Sequence, residues 1–132
     1  MKCIAIFDTS ALFVVAEGRA SLDSISEVLP DCEFIVVDAV VQELEKFARK
    51  SYGKKAILAK WILQNIIPKL RVVESGFVGE ADDIIISFGL KLLAEGFRCV
   101  VISTDSKVKE KALRSGLEVV TYRETEGRFE QT

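Results

Sequence analysis

Consecutive apolar runs and segments of helical period alternate along the chain. The runs stand at 3–7 (CIAIF), 34–37 (FIVV) and 99–102 (CVVI), and apolar stretches without alternation mark strands buried on both faces. Residues 70–74 (LRVVE) and 117–122 (LEVVTY) read as strands with polar residues interleaved. Between the strands, apolar residues recur every three or four positions. Residues 11–16 make a short helix. Leu22, Ile25, Val28 and Leu29 carry a second, ended by Pro30. Asp38 opens a third, through about Lys50, with Val40, Val41, Leu44, Phe47 and Ala48 on one side. In a fourth, 54–67, Ile57, Leu58, Trp61, Ile62 and Asn65 share a face, and Pro68 closes it. A long helix at 79–95 ends at Gly96, and one at 105–115 ends at Gly116, since glycine tolerates the positive φ of a helix terminus.

This order predicts an α/β fold: a three-layer α/β/α arrangement around a five-stranded parallel sheet with right-handed crossovers. The mixed third and fifth strands suit the edges, which selects the order 3-2-1-4-5. One domain then covers 1–123, followed by a polar tail, 124–132, that is expected to fray. In that order the winding reverses between strands one and four. Ligands of open α/β sheets bind there, beyond the carboxyl ends of the strands. Asp8 and Asp105 fall at that place.

Composition narrows the chemistry. At 132 residues, 49% hydrophobic and 29% charged, the chain is long enough for one substantial core. Its net charge of −2 leaves room only for a local basic stripe toward nucleic acid. Cys3, Cys32 and Cys99 lie far apart in apolar surroundings without a CxxC pair, so they read as small core residues of an intracellular, cytoplasmic protein and not as a zinc cluster. No stretch is apolar enough to span a membrane. There is no histidine, which removes Ser-His-Asp and Cys-His catalysis and every His-containing zinc site. Acid–base or metal chemistry must come from Asp and Glu.

Four acids arrive at the same rim from separate segments. Asp8 and Asp105 follow strands, while Glu43 and Asp82 sit in the first turns of helices on otherwise apolar stripes. Each has a bland reading. Asp8, together with Thr9 and Ser10, or Asp105 can cap a helix, Asp82 and Asp83 favour a helix N-terminus, and Glu43 can pair with Lys46 or Lys50. Taken together, crowded carboxylates repel unless some are protonated or a cation is bound. That cation would be hard and oxygen-loving, Mg²⁺ or Mn²⁺. Asp83 reads as an outer or capping residue. A basic run, Lys46, Arg49, Lys50, Lys54, Lys55 and Lys60, begins one turn after Glu43, and Lys107, Lys109 and Lys111 follow Asp105. Such runs serve either as phosphate contacts or as solvated helix faces.

The motifs FDTSAL, VVQELEKF, GEADDIII and VISTDSK, in that order and placement, resemble the PIN domain across nearly the whole chain. The resemblance implies a metal-dependent endoribonuclease with acids at Asp8, Glu43, Asp82 and Asp105 and a small hydroxyl at Ser103 or Thr104. Asp8, Asp82 and Asp105 would hold Mg²⁺ or Mn²⁺, and Glu43 would orient the attacking water. It further implies an RNA substrate, a homodimer through surface around Trp61 or Phe13, and either a VapC-type toxin with an antitoxin partner or a ribosomal-RNA-processing protein. One departure is Lys107, where many relatives carry another acid; it puts a second metal site in doubt. It also leaves open a non-catalytic RNA-binding or assembly module. Phosphotransfer through a phosphoaspartate fits less well: Ser10 stands where haloacid-dehalogenase-like enzymes need a second Asp, and the third strand ends in Glu74 and Ser75.

Overall fold

The computed structural model describes residues 2–50 and 52–132. Its strands are β1 (Cys3–Phe7), β2 (Cys32–Val37), β3 (Arg71–Val73), β4 (Arg98–Ile102), β5 (Glu118–Arg123) and β6 (Arg128–Gln131). They form one sheet in the order β3-β2-β1-β4-β5-β6, parallel except for the antiparallel β5–β6 pair. The helices are α1 (Thr9–Ala16), α2 (Leu22–Val28), α3 (Asp38–Ala48), α4 (Lys54–Asn65), α5 (Ala81–Ala94) and α6 (Ser106–Arg114). The expected five-strand order is present, and the sixth strand extends it.

The tail does not fray: β6 pairs with β5 and buries Phe129 to 1% exposure against the core, its ring 5.5 Å from that of Tyr122. That makes β5 an inner strand and β6 the edge. β1, β4 and the end of β2 supply the centre of the core, with Ile6, Phe7, Val36, Val100 and Ile102 sealed from water. The α4 face differs from the periodicity reading. Ala56, Ala59 and Ile62 turn inward, leaving Ile57 at 65% and Trp61 at 45% exposure. Small residues let α4 lie close against α1 and α3.

A second correction concerns the cysteines. Strand register places Cys3 opposite Cys32, and the two form a disulfide with a Cα–Cα distance of 4.5 Å. Cys99 remains free and buried, and burial pushes its thiol up to about 12, which makes it unreactive. Behind β4, Gly89 lets α5 approach the sheet: a Cβ there would lie 2.9 Å from Leu117 Cδ1 and 3.3 Å from Cys99 Sγ. Among the described residues no helix is long and apolar enough to cross a membrane.

Candidate active site

The winding reversal between β1 and β4 puts the end of β1 beside the end of β4. Phe7 pairs with Ile102, and the Asp8 amide donates to the Ile102 carbonyl at 2.9 Å. Asp8 then enters α1, yet its side chain makes no cap hydrogen bond. The capping reading fails for this residue. Its Oδ2 instead accepts the hydroxyls of Ser103 at 2.7 Å and Ser10 at 2.8 Å. Asp8 is only 7% exposed and Ser103 is sealed. Burial pushes the Asp8 pKa above the ordinary 3.8; the Ser103 and Ser10 hydroxyls and the Thr9 amide oppose the rise, and the nearby Asp105 charge adds to it. Among the described residues no Lys or Arg pairs with it.

Asp105 does cap its helix: Oδ1 accepts the amides of Lys107 at 2.8 Å and Val108 at 3.1 Å. Its own amide donates to Ser103 Oγ at 3.0 Å, and the Thr104 amide donates to Ser10 Oγ at 3.0 Å. Ser10 and Ser103 thus tie the start of α1 to the β4–α6 turn. Glu43 comes in on the second turn of α3 and Asp82 on the first turn of α5. Asp38 fixes how these two helices enter, because its Oδ1 accepts the amides of Ala39 at 3.0 Å and of Ser75, in the loop before α5, at 3.3 Å.

Asp8, Glu43, Asp82 and Asp105 line one open cavity of about 360 Å³, with Thr9 and Ser10 beside them. A fifth acid, Glu80, lines it too; it precedes α5 and sits on no apolar stripe, so periodicity gave no sign of it. Phe13 and Phe47 form another wall, their rings 6.1 Å apart and edge to face. Among the described residues Lys55 is the base that lines the cavity, its ammonium 4.1 Å from the Phe47 centroid and 5.7 Å from that of Phe13. Lys50 lies over Phe47 as well, at 5.5 Å. Lys46, Arg49, Lys54 and Lys107 are exposed and do not line the cavity; Lys54 pairs with Glu17 at 3.6 Å. Asp83 and Thr104 also lie off it. Asp83 faces outward to Lys111, whose Nζ is 3.0 Å from Asp83 Oδ1 and 3.7 Å from Asp82 Oδ2.

Whether these residues suit a divalent ion can be tested on their own geometry. Among the described residues no three acids or cysteines converge closely enough to enclose an ion directly. Mg²⁺ does not require that, since it keeps several waters and binds through one or two carboxylates. Two features favour a guest at this place. A buried carboxylate without a basic partner is costly, and Asp8 is one. Thr9 lines the same cavity, and among the described residues its buried Oγ1 has no hydrogen-bond partner. Oxygen donors around a buried anion fit a hard cation with water filling its remaining positions.

An open α/β sheet with an acid-lined cleft at its winding reversal is the class of protein defined here. A family model described as "PIN like domain" matches residues 5–125, and the chain belongs to this family. It is similar to ribonuclease VapC9 of Archaeoglobus fulgidus, 27% identical over 119 residues that cover 90% of this chain and 82% of that protein. Two solved structures share the fold. The PIN domain endonuclease Utp24 superposes with a TM-score of 0.74 at 17% identity, covering 97% of this chain and 90% of that one. VapBC2 from Rickettsia felis, bound to a DNA fragment from its promoter, gives 0.65 at 13%, covering 91% and 99%.

Proposed function

We propose that this chain is a divalent-metal-dependent endoribonuclease in which Asp8, Asp82 and Asp105 hold Mg²⁺ or Mn²⁺ and Glu43 positions a water for attack on an RNA phosphodiester. The observation that carries the reading is Asp8: a buried carboxylate with no basic partner among the described residues, on the wall of a cavity shared with the other acids. When bound, the ion would lower the pKa of water and neutralise charge developing on the phosphate. Ser10 and Ser103 hold one oxygen of Asp8 and so aim the other. Glu43 is half-buried on the cavity wall, where its carboxylate orients the water and takes its proton. Lys55, steadied on Phe47, meets a phosphate oxygen entering the cleft. Lys46, Arg49, Lys50, Lys54 and Lys107 contact the strand farther out.

The VapC relative and the VapBC2 neighbour support an antitoxin partner. The exposed Ile57 and Trp61 of α4 supply apolar surface for a homodimer. Cytoplasmic residence belongs to the same reading. A second reading, a non-catalytic RNA-binding or assembly module, is favoured by Lys107 at a usual acid position and by Lys111 against Asp82. Incubation of end-labelled RNA with Mg²⁺, Mn²⁺ or EDTA, alongside Asp8→Asn, tests both. Cleavage by the wild type that requires the ion and is lost in Asp8→Asn supports the nuclease. RNA binding without metal-dependent cleavage by either protein refutes it in favour of the module.

A further inference from the structure

A second cavity stands beside the acidic one. It holds about 270 Å³ and is walled by Asp38 and Gln42 of α3 and by Phe77, Val78 and Gly79 of the loop before α5. The two cavities share a partition: Gln42 and Gly79 line this one, and their chain neighbours Glu43 and Glu80 line the other, with consecutive Cα atoms about 3.8 Å apart. The loop is held in shape from beneath. Buried Ser75 donates its amide to Asp38 Oδ1 at 3.3 Å, and its hydroxyl oxygen accepts the Phe77 amide at 3.2 Å. Gly76 and Gly79, both at positive φ, turn the chain on either side of Phe77 and Val78. Phe77 is nonetheless 39% exposed and Val78 fully exposed, so this anchored loop presents an aromatic ring and an apolar neighbour to water instead of to the core. Asp38 adds a polar edge. Its Oδ1 is taken by the amides of Ala39 and Ser75, while its Oδ2 accepts no hydrogen bond among the described residues.

We propose that this cavity is a nucleobase subsite, receiving the base of a nucleotide next to the phosphate in the acidic cleft and preferring a base with an exocyclic amino group. The proposal deepens the nuclease reading and rests on it for the placement of the strand. Exposed aromatic and apolar side chains offer a face for stacking, the means by which proteins take the splayed bases of single-stranded RNA. The volume suits a single base, since drug-sized ligands occupy about 300–1,000 Å³. Acids on both sides of the partition disfavour a phosphate here, whereas an uncharged base edge with N–H donors meets the free oxygen of Asp38. A carboxylate only accepts hydrogen bonds, and Gln42 can both donate and accept. Adenine, cytosine and guanine offer amino groups to such a pair. Uracil flanks its one N–H with carbonyl oxygens, which the carboxylate repels.

The test is fluorescence anisotropy of short labelled single strands of A, C or U in EDTA, for the wild type, Phe77→Ala, Phe77→Trp and Asp38→Asn, with a circular dichroism melt of each to check folding. The wild type should bind A and C several-fold more tightly than U. Phe77→Ala should weaken every strand by roughly fivefold or more, the loss of one stacking contact, and Phe77→Trp should keep wild-type binding. In Asp38→Asn the two backbone amides hold the side-chain oxygen where it is, so the NH₂ group takes the place of Oδ2 and the preference should turn toward U. Equal affinity of the wild type for the three strands, wild-type affinity in Phe77→Ala, or an unaltered preference in Asp38→Asn would overturn the subsite. A changed sedimentation coefficient in Phe77→Ala with RNA affinity intact would assign the loop to contact between copies of the chain and overturn it as well. Incubating the same strands with Mn²⁺ separates the two readings. Cleavage without any base preference in binding leaves the nuclease standing and removes the subsite, whereas the expected binding pattern without cleavage supports the subsite and refutes the nuclease.

Discussion

Replacing Ser103 by alanine isolates the interaction that keeps Asp8 charged inside the protein. The Ser103 hydroxyl is sealed from water and donates to Asp8 Oδ2 at 2.7 Å, and a hydrogen bond to an ionised group contributes about 1.5–3 kcal/mol. The Asp105 amide loses its acceptor in the same substitution, but Asp105 is exposed enough for water to replace it. Ser103→Ala should therefore destabilise the metal-free protein by about 2–3 kcal/mol at neutral pH, roughly 6–12 °C in Tm for a domain of this size. The pH dependence has a definite sign. Asp8 titrates above its ordinary 3.8 when folded, so it favours the folded state in acid, and that contribution is lost as pH rises from 3.8 through the folded pKa. Removing the hydroxyl lifts the folded pKa further and widens the window. The gap between wild type and Ser103→Ala should thus grow with pH across that window and then level off. In acid, where Asp8 is protonated, it should shrink to the ~1 kcal/mol of a neutral hydrogen bond. Urea unfolding in EDTA at a series of pH values, with slopes checked for constancy, measures it. A loss that is equal in acid and at neutral pH refutes the reasoning, as does an undiminished loss in an Asp8→Asn background.

Reducing the Cys3–Cys32 bond reopens a loop of sequence separation 29 and should cost about 3–4 kcal/mol; matching urea midpoints with and without dithiothreitol would contradict it. Disulfides are rare in reducing compartments, so counting free thiols after equilibration at cytosolic glutathione potential shows which state is relevant there. Gly89→Ala adds a methyl 2.9 Å from Leu117 Cδ1. Overpacking of about 1–3 kcal/mol should exceed the roughly 1 kcal/mol gained in helix propensity, giving a lower Tm; a raised Tm means Leu117 yields. Lys55→Ala should weaken RNA binding and reduce the slope of log K against log salt by about 0.7, one phosphate contact on a single strand. Fluorescence anisotropy on the Asp8→Asn protein reads it, and an unchanged slope removes Lys55 from the cleft's role.

Strands β1, β2 and β4 were legible because burial on both faces leaves a short, β-branched-rich apolar run bounded by polar residues. From them followed the reversal point, and with it the rim where the acids meet. β6 was illegible because its only apolar residue is Phe129, set among Arg128, Glu130 and Gln131, a pattern that resembles any polar tail. The inward face of α4 was misjudged because Trp61 and Ile57 dominate a hydrophobicity reading, whereas close packing selected Ala56 and Ala59. The disulfide is a fact of register, since only the pairing of β1 with β2 sets Cys3 opposite Cys32. Asp8 and Asp105 looked alike as helix caps. What separates them is Ser103, which neighbours Asp105 in the chain yet directs its hydroxyl to Asp8.

The antiparallel β6 also decides how this molecule meets other copies of itself. A parallel sheet ending at β5 would offer the backbone groups of Val119, Val120 and Thr121, all from a buried strand, as a template for a stranger's strand. With β6 in place, the outermost row carries Arg128, Glu130 and Gln131, charged and polar side chains that discourage such recruitment. The nine residues of the tail, which look most dispensable in the chain, are thereby its guard against strand pairing along this edge, and trimming them should produce aggregates before it produces loss of the cleft.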